Sequence, residues 1–333
     1  MGLTDILSII SDDLNRVEQE IDKNIQSPAP LVYEISKYLL EGGGKRIRPA
    51  ILLLCSGSLG LKNGALQDGW KKIASAAAIE LIHTASLLHD DVVDEASVRR
   101  GKESSNVVWG NKPTVLVGDF LLSKALGLIQ SCGNLDLIKA VTDASAKLAE
   151  GQVLEVMSSA SMIETTEDVC FGIIENKTAS LIESSARVGA LLATDSDETN
   201  KVDAVGNYGL NLGIAFQLVD DALDYSSTEQ EFGKQVGQDL VEGKMTLPLY
   251  YSIQDATKTE QEKVSRILGK DIFDEQELSF IFEIVSKYKG VDKTKDSAKS
   301  FVNKAKESLT YLPVNEFNKS LDMLADFVVE RTN

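Results

Sequence analysis

Residues 70–95 read WKKIASAAAIELIHTASLLHDDVVDE, and the fold is decided by how that stretch is read. Its alanine- and leucine-rich run predicts one long helix from Trp70 to Glu95. The helix closes on acids: Asp90 and Asp94 stand four residues apart and so project from one face. Like charges at that spacing weaken an isolated helix by roughly 0.2–0.5 kcal/mol. Leu87 and Leu88 precede the acids, and Val92 and Val93 interrupt them, so the carboxylates lie in a core-facing helix rather than on a solvated charge run. A second stretch repeats the pattern. Ala215, Phe216, Leu218 and Val219 lead into Asp220-Asp221-Ala222-Leu223-Asp224, which aligns Asp220 with Asp224. One such motif is an ordinary surface feature; two, each set in apolar helix, predict a bound divalent cation that offsets the repulsion. Oxygen-only donors, with no cysteine and few histidines, favour magnesium bridged by substrate phosphates.

Outward from these motifs the chain reads as helix after helix. Leu3, Ile6, Leu7, Ile10, Leu14, Val17, Ile21 and Ile25 form one apolar stripe, ended by Pro28 and Pro30. A helix over about 31–40 stops at Gly42-Gly43-Gly44, and Pro49 suits the first turn of the next. Loops are predicted over 57–69 and 99–113, and helices over 114–130, 135–159, 166–193 and 200–225. An irregular stretch at 233–248 precedes further amphipathic helix to the end. No alternating strand pattern recurs. The expectation is an all-α protein forming one domain over residues 1–333.

Composition narrows the function. The net charge of −17, from 34 basic and 51 acidic residues, argues against a general nucleic-acid binder. A basic cluster at Lys45, Arg46 and Arg48 is therefore informative. Cys55, Cys132 and Cys170 are odd in number and lack metal-ligand spacing, which predicts buried thiols in a reducing compartment. Residues 1–25 hold six acids against Arg16 and Lys23, unlike a targeting peptide. The longest apolar stretch, around 50–61, is too short and glycine-broken to span a bilayer. The expected location is cytoplasmic.

Cations complete the chemistry. Gly42-Gly43-Gly44-Lys45-Arg46-Ile47-Arg48-Pro49 places three of them in a glycine-rich loop before a helix start, suited to a diphosphate. Arg99 and Arg100 follow the first acidic motif, and Lys177, Thr178, Gln217, Lys234 and Lys244 occupy or flank the second. Of the two histidines, His83 lies seven residues before Asp90, on roughly the same face, and is expected to touch ligand. His89 reads equally as structural.

In order along the chain, GGGKRIRP (42–49), LLHDDVVDEASVRRG (87–101), VLVGDFLLSKA (115–125), NKTASLIE (176–183), FQLVDDALDY (216–225) and GKQVGQDLVEGKMTLPL (233–249) resemble the all-trans polyprenyl diphosphate synthases. The resemblance runs from about residue 30 to 250 and its motifs are highly specific. It implies a bundle of long helices around a deep apolar cavity (the isoprenoid synthase fold), usually as a homodimer. It implies a reaction too: isopentenyl diphosphate is joined head-to-tail to an allylic diphosphate such as farnesyl or geranylgeranyl diphosphate. By the same resemblance Asp90, Asp94 and Asp220 would ligate three magnesium ions on the allylic diphosphate, with Asp91, Asp221 and Asp224 in support. Arg99, Lys177 and Lys234 would contact that diphosphate, beside Thr178, Gln217 and Lys244. Lys45, Arg48, His83 and Arg100 would hold isopentenyl diphosphate.

The resemblance also bears on product length. Short-chain bacterial members usually place four residues between the second and third aspartates of the first motif; this chain has two. The positions where the family sets chain-stopping bulk are Ala85 and Ser86, both small. One helical turn, about 5.4 Å, roughly matches one isoprene unit. Leu126, Ile129 and Val141 are candidate floor residues. The expected product has about thirty-five to fifty carbons, as in a quinone side chain, with transient membrane contact aiding release. The C-terminal stretch 328–333 carries only Arg331 as a base, unlike short-chain members whose basic ends close over the site.

Other readings remain open from sequence. One is a geranylgeranyl or other shorter-chain synthase. A terpene cyclase would have a different second motif and no need of Lys45 and Arg48, and a head-to-head condensing enzyme would space its aspartates differently. A non-catalytic helical partner subunit would show damaged aspartate motifs, and an acidic scaffold would not explain the ordered basic sites.

Overall fold

The computed structural model describes residues 2–60, 66–195, 198–226, 237–270 and 272–330. Helix makes up 81% of it, so the all-α expectation holds. The helices are α1 (Leu3–Leu7), α2 (Ser11–Asn24), α3 (Pro30–Glu41), α4 (Ile47–Ser58), α5 (Leu66–Val93), α6 (Ser105–Trp109), α7 (Asn111–Ser131), α8 (Leu135–Ser159), α9 (Glu167–Ile173), α10 (Ser180–Leu191) and α11 (Thr199–Ser226). After the undescribed residues come α12 (Gln238–Val241), α13 (Leu247–Asp255), α14 (Lys258–Leu268), α15 (Glu275–Lys287), α16 (Gly290–Leu309) and α17 (Glu316–Glu330).

Packing divides the chain into two compact units. One comprises Met1–Ala146, Leu181–Gly209 and Lys306–Leu324; the other comprises Lys147–Ser180, Leu210–Ala305 and Ala325–Asn333.

In the first unit α5 is the central element, packed most extensively against α7 and also against α2 and α4. Ile73, Ala74, Ala76, Ala77, Ala78, Ile79, Leu81, Ile82, Ala85 and Leu88 are all buried, a helix apolar nearly all round. The small residues let neighbours approach closely. Two charges on this helix are tied down: Lys72 reaches Asp13 at 2.6 Å, and Glu80 accepts from Arg46 at 3.0 Å. In the second unit α13 packs on α9, α14 and α15. Tyr251 on α13 donates to Glu167 on α9 at 2.7 Å.

Helix α5 begins at Leu66, inside the loop predicted over 57–69, and ends at Val93. The structure departs from the sequence reading at four further places. The N-terminal stripe is not one helix: a 3₁₀ turn at Ser8–Ile10 breaks it, where Ser8 Oγ donates to Asp5 O at 2.8 Å. The segment read as a loop after Arg99 holds an antiparallel hairpin, β1 (Val98–Arg99) and β2 (Lys102–Glu103), with Val98 opposite Glu103 and Arg99 opposite Lys102. Helix α6 follows it, and two-residue strands are too short to show alternation. The predicted helix over 166–193 is interrupted by a π-helical segment, Ile174–Ala179. Lastly, the longest apolar helix is α7 rather than the stretch around 50–61. By length and composition α7 could cross a bilayer, but Val117, Leu121, Ala125, Leu128 and Ile129 are buried and the helix packs on α5, α3 and α6.

Candidate active site

In the first unit the last turns of α5 carry Asp90, Asp91 and Asp94, and Asp94 N donates to Asp90 O at 2.8 Å. Asp91 is fully buried and its Oδ1 accepts from Arg99 Nε. Burial pushes the Asp91 carboxyl up, against the pull of Arg99. The hairpin turn that presents Arg99 and Arg100 has φ of 52° at Arg100 and 75° at Gly101. Positive φ at both central positions is the type I′ turn, which glycine adopts freely and arginine adopts at a cost.

Guanidinium groups gather near α5 about two helical turns before Asp90, around His83. Burial lowers the pKa of His83, and the charges of Arg48, Arg100, Arg99 and Arg46 lower it further, so the imidazole is neutral near pH 7. Gly44 lies against two of these groups; a Cβ there would stand 2.8 Å from Arg46 Nη1 and 3.4 Å from Arg100 Nη1. Arg46 itself is scaffold. Its Nη1 donates to Glu80 Oε1 at 3.0 Å, its Nη2 to Leu40 O at 3.3 Å, and it pairs with Glu18. Lys45 and Arg100 are exposed and Arg48 is half-buried. Four guanidinium groups thus bear on one neutral imidazole in a chain of net charge −17, and two of them, Arg46 and Arg99, are already paired with carboxylates.

In the second unit the π segment carries Lys177 and Thr178. Helix α8 passes close by because residue 151 is glycine: a Cβ there would lie 2.5 Å from Lys177 N and 2.9 Å from Lys177 Cα. Gly213 allows the same approach from α11, where a Cβ would lie 2.6 Å from Ala179 Cα. The segment is thereby wedged, and its side chains are relayed. Thr178 Oγ1 donates to Gln217 Oε1 at 2.9 Å, and Gln217 Nε2 donates to Asp221 Oδ1 at 2.8 Å. Lys177 pairs with Glu155, and Lys244 lies 2.7 Å from Glu242 and 3.7 Å from Glu155. Lys177, Thr178, Gln217, Asp221, Lys244 and Glu155 line a cavity of about 140 Å³ with Thr246, Met245, Cys170 and Asp239.

The acids here are crowded. Asp221 is buried, and burial together with the charges of Asp239, Asp220 and Asp224 drives its pKa well above the usual carboxylate range. Asp239 is pushed up to about 7 by burial and by Asp224. Asp224 holds the polypeptide beyond the undescribed residues, accepting from Gln238 N at 3.3 Å and Asp239 N at 3.2 Å. Oxygen donors that raise one another's pKa suit a hard divalent cation. Among the described residues no three His, Cys, Asp or Glu side chains converge on one point, so such a cation would take part of its coordination from phosphate oxygens or water.

The sequence pattern that defines the polyprenyl synthetase family matches residues 29–285. The chain belongs to that family. It is 37% identical to an octaprenyl diphosphate synthase of Haemophilus influenzae, over 99% of this chain and 98% of that one. Among solved structures it is similar to a polyprenyl synthase from Caulobacter crescentus complexed with calcium and isoprenyl diphosphate, at 35% identity and TM-score 0.93 over 100% of this chain and 98% of that one. It is also similar to a decaprenyl diphosphate synthase from Rhodobacter capsulatus, at 34% identity and TM-score 0.91 over 100% of both chains. The fold is thus the all-α isoprenoid synthase fold. Short-chain and geranylgeranyl synthases occur among the relatives as well, so whole-chain similarity to polyprenyl synthetases does not by itself set product length.

Against that family background, the residues singled out in the sequence fall into two groups. Lys45, Arg48, His83, Asp90, Asp91, Asp94, Arg99 and Arg100 belong to the first unit; Lys177, Thr178, Gln217, Asp220, Asp221, Asp224 and Lys244 belong to the second. Lys234 lies outside the described residues, as do residues 331–333 at the C-terminus. His89 faces α7: its Nε2 is 3.2 Å from Val115 O and 3.4 Å from Asp119, and a Cβ on Gly118 would collide with its ring. Of the chain-length candidates, Ala85, Ile129 and Val141 are buried, Leu126 is 37% exposed, and Ser86 turns its hydroxyl to His83 O at 2.8 Å. All three cysteines are buried free thiols. Sequence reading passed over Glu155, Asp239 and Gly151. The one signal for them was position: Asp239 and Lys244 share one glycine-rich stretch, and Gly151 and Glu155 are one helical turn apart.

Proposed function

We propose that the protein is a trans-prenyltransferase that extends an allylic diphosphate with isopentenyl diphosphate to a long all-trans polyprenyl diphosphate of about thirty-five to fifty carbons. The observation that carries this reading is the cavity of the second unit, where two ammonium groups, a Thr–Gln–Asp relay and crowded buried carboxylates meet. Such a lining recognises a diphosphate together with a hard cation.

Three magnesium ions, held by Asp90, Asp94 and Asp220 with the allylic diphosphate, would supply charge neutralisation as the allylic C–O bond breaks. Lys177, Lys244 and Arg99 bind and orient that diphosphate, with Lys234 beside them. Thr178 and Gln217 fix the direction of Asp221, and Asp91 fixes Arg99. Lys45, Arg48, Arg100 and neutral His83 hold isopentenyl diphosphate without metal; an imidazole donates a hydrogen bond here without needing a charge. Electrons of the isopentenyl double bond form the new C–C bond at the allylic carbon, and the surplus proton leaves to the departing pyrophosphate. The reaction requires that water be kept from the allylic cation, which it would otherwise capture.

Small Ala85 and Ser86 leave the chain path open behind Asp90, with Leu126, Ile129 and Val141 as its floor. Ser86 keeps its hydroxyl on its own helix, so it makes no polar demand on a passing hydrocarbon. Residues 1–333 act as one catalytic domain in this reading. The enzyme is a cytoplasmic homodimer serving quinone side-chain synthesis, and its product leaves through transient membrane contact. Leu116, exposed on α7, is apolar surface that a second copy would cover.

The test is incorporation of labelled isopentenyl diphosphate with a farnesyl diphosphate primer. Magnesium-dependent incorporation that EDTA abolishes is expected. Asp90→Asn and Asp220→Asn should each lower kcat/KM by about 10²–10³-fold without unfolding the protein. Unchanged rates in both variants would contradict the assignment.

A further inference from the structure

One carboxylate in the second unit's cavity has no part in the reaction so far. Glu155 Oε2 accepts from Lys177 Nζ and lies 3.7 Å from Lys244 Nζ, so a single oxygen is shared by two ammonium groups. All three side chains are largely withdrawn from solvent, at 13%, 19% and 16% exposure. Lys244 is drawn the same way by Glu242 at 2.7 Å. The arrangement is built in: Gly151, one turn before Glu155 on the same helix, is what permits α8 to lie against the backbone of Lys177.

The electrostatics of this pairing depend on what enters. A bare diphosphate brings several negative charges to two lysines already facing a carboxylate, and must either displace Glu155 or sit within a few ångströms of it. A diphosphate whose charge is offset by divalent cations is repelled far less by Glu155, while its oxygens still meet the two lysines. We infer that Glu155 is a specificity-determining residue that occupies Lys177 and Lys244 as an internal counter-anion, so that this subsite rejects metal-free diphosphates and accepts metal-loaded ones. The inference rests on the reading that Lys177 and Lys244 hold the allylic diphosphate. It gives the enzyme a physical means of keeping isopentenyl diphosphate, bound without metal, out of the allylic subsite.

The experiment is calorimetric binding of inorganic pyrophosphate in EDTA to the full-length protein, wild type against Glu155→Gln. The variant is expected to bind roughly tenfold more tightly, and the gain should vanish in a Lys177→Gln/Lys244→Gln background, which excludes binding elsewhere. In turnover with magnesium, Glu155→Gln should show new inhibition by excess isopentenyl diphosphate, competitive with the primer, while Glu155→Asp, which keeps the charge, should show less. Equal or weaker pyrophosphate binding by Glu155→Gln would overturn the proposal, as would a gain that survives loss of both lysines. Should Glu155→Gln not fold, Glu155→Asp decides: its shorter side chain withdraws from Lys244, so binding should tighten by roughly two- to threefold, and no tightening counts against the proposal. If the wild type incorporates no isopentenyl diphosphate with any primer, the prenyltransfer reading fails, while the metal-free calorimetry still decides the role of Glu155.

Discussion

At the scale of single residues, the aspartates were legible because they contradict their surroundings. Asp90, Asp94 and Asp220 are acids set into helices whose other residues are core-forming, and that conflict is visible without coordinates. Glu155 was not legible: it is one of 51 acids, and only the close approach at Gly151 shows that it meets Lys177. Arg46 went the other way, since its neighbours Lys45 and Arg48 made it look like a third ligand-facing cation. Its partners Glu18 and Glu80 come from distant positions in sequence. Asp239 gives a prediction at this scale. Its carboxyl is raised from 3.8 to about 7 in the folded chain. Between those values the unfolded chain ionises first and the folded chain keeps its proton, so stability falls as pH rises through that window. In metal-free buffer, Asp239→Asn should therefore flatten the loss of stability between about pH 4 and 7, by up to about 1.4 kcal/mol per pH unit. Thermal unfolding across that range measures it; parallel wild-type and variant curves would refute the assignment.

At the scale of elements, α8 and α11 were legible almost to the residue because long periodic segments state their own type, whereas α5 begins at Leu66, four residues before the predicted start. The π segment was not, because its composition is that of any helix and only the hydrogen-bond register differs. Nor was the hairpin, whose two-residue strands exist to aim Arg99 and Arg100. Two predictions belong here. Gly151→Ala puts a methyl group 2.5 Å from Lys177 N, so α8 and the π segment must separate. Expected costs are about 1–3 kcal/mol in stability, read by denaturant unfolding, and a larger proportional loss in kcat/KM for the primer than for isopentenyl diphosphate. Ser86→Phe adds bulk to α5 one turn before Asp90, on the side assigned to the growing chain. Product should shorten by several isoprene units while total incorporation persists, as read by chromatography; an unshortened product would remove Ser86 from the chain path.

At the scale of the whole molecule, acidity argued against a general nucleic-acid binder, helical composition argued for an all-α fold, and the ordered motifs pointed to the polyprenyl synthetase family. Product length depends on a path that no single motif spells out, and relatives of both short and long product share the fold. The most direct test is therefore the product itself. Purified protein is incubated with labelled isopentenyl diphosphate, farnesyl diphosphate and magnesium, and the dephosphorylated products are separated by reversed-phase chromatography. A ladder ending at one polyprenol of about thirty-five to fifty carbons, absent in EDTA, is the predicted result. A product that stops at fifteen or twenty carbons would contradict the open path behind Ala85 and Ser86, and no incorporation with any primer would contradict the proposed reaction.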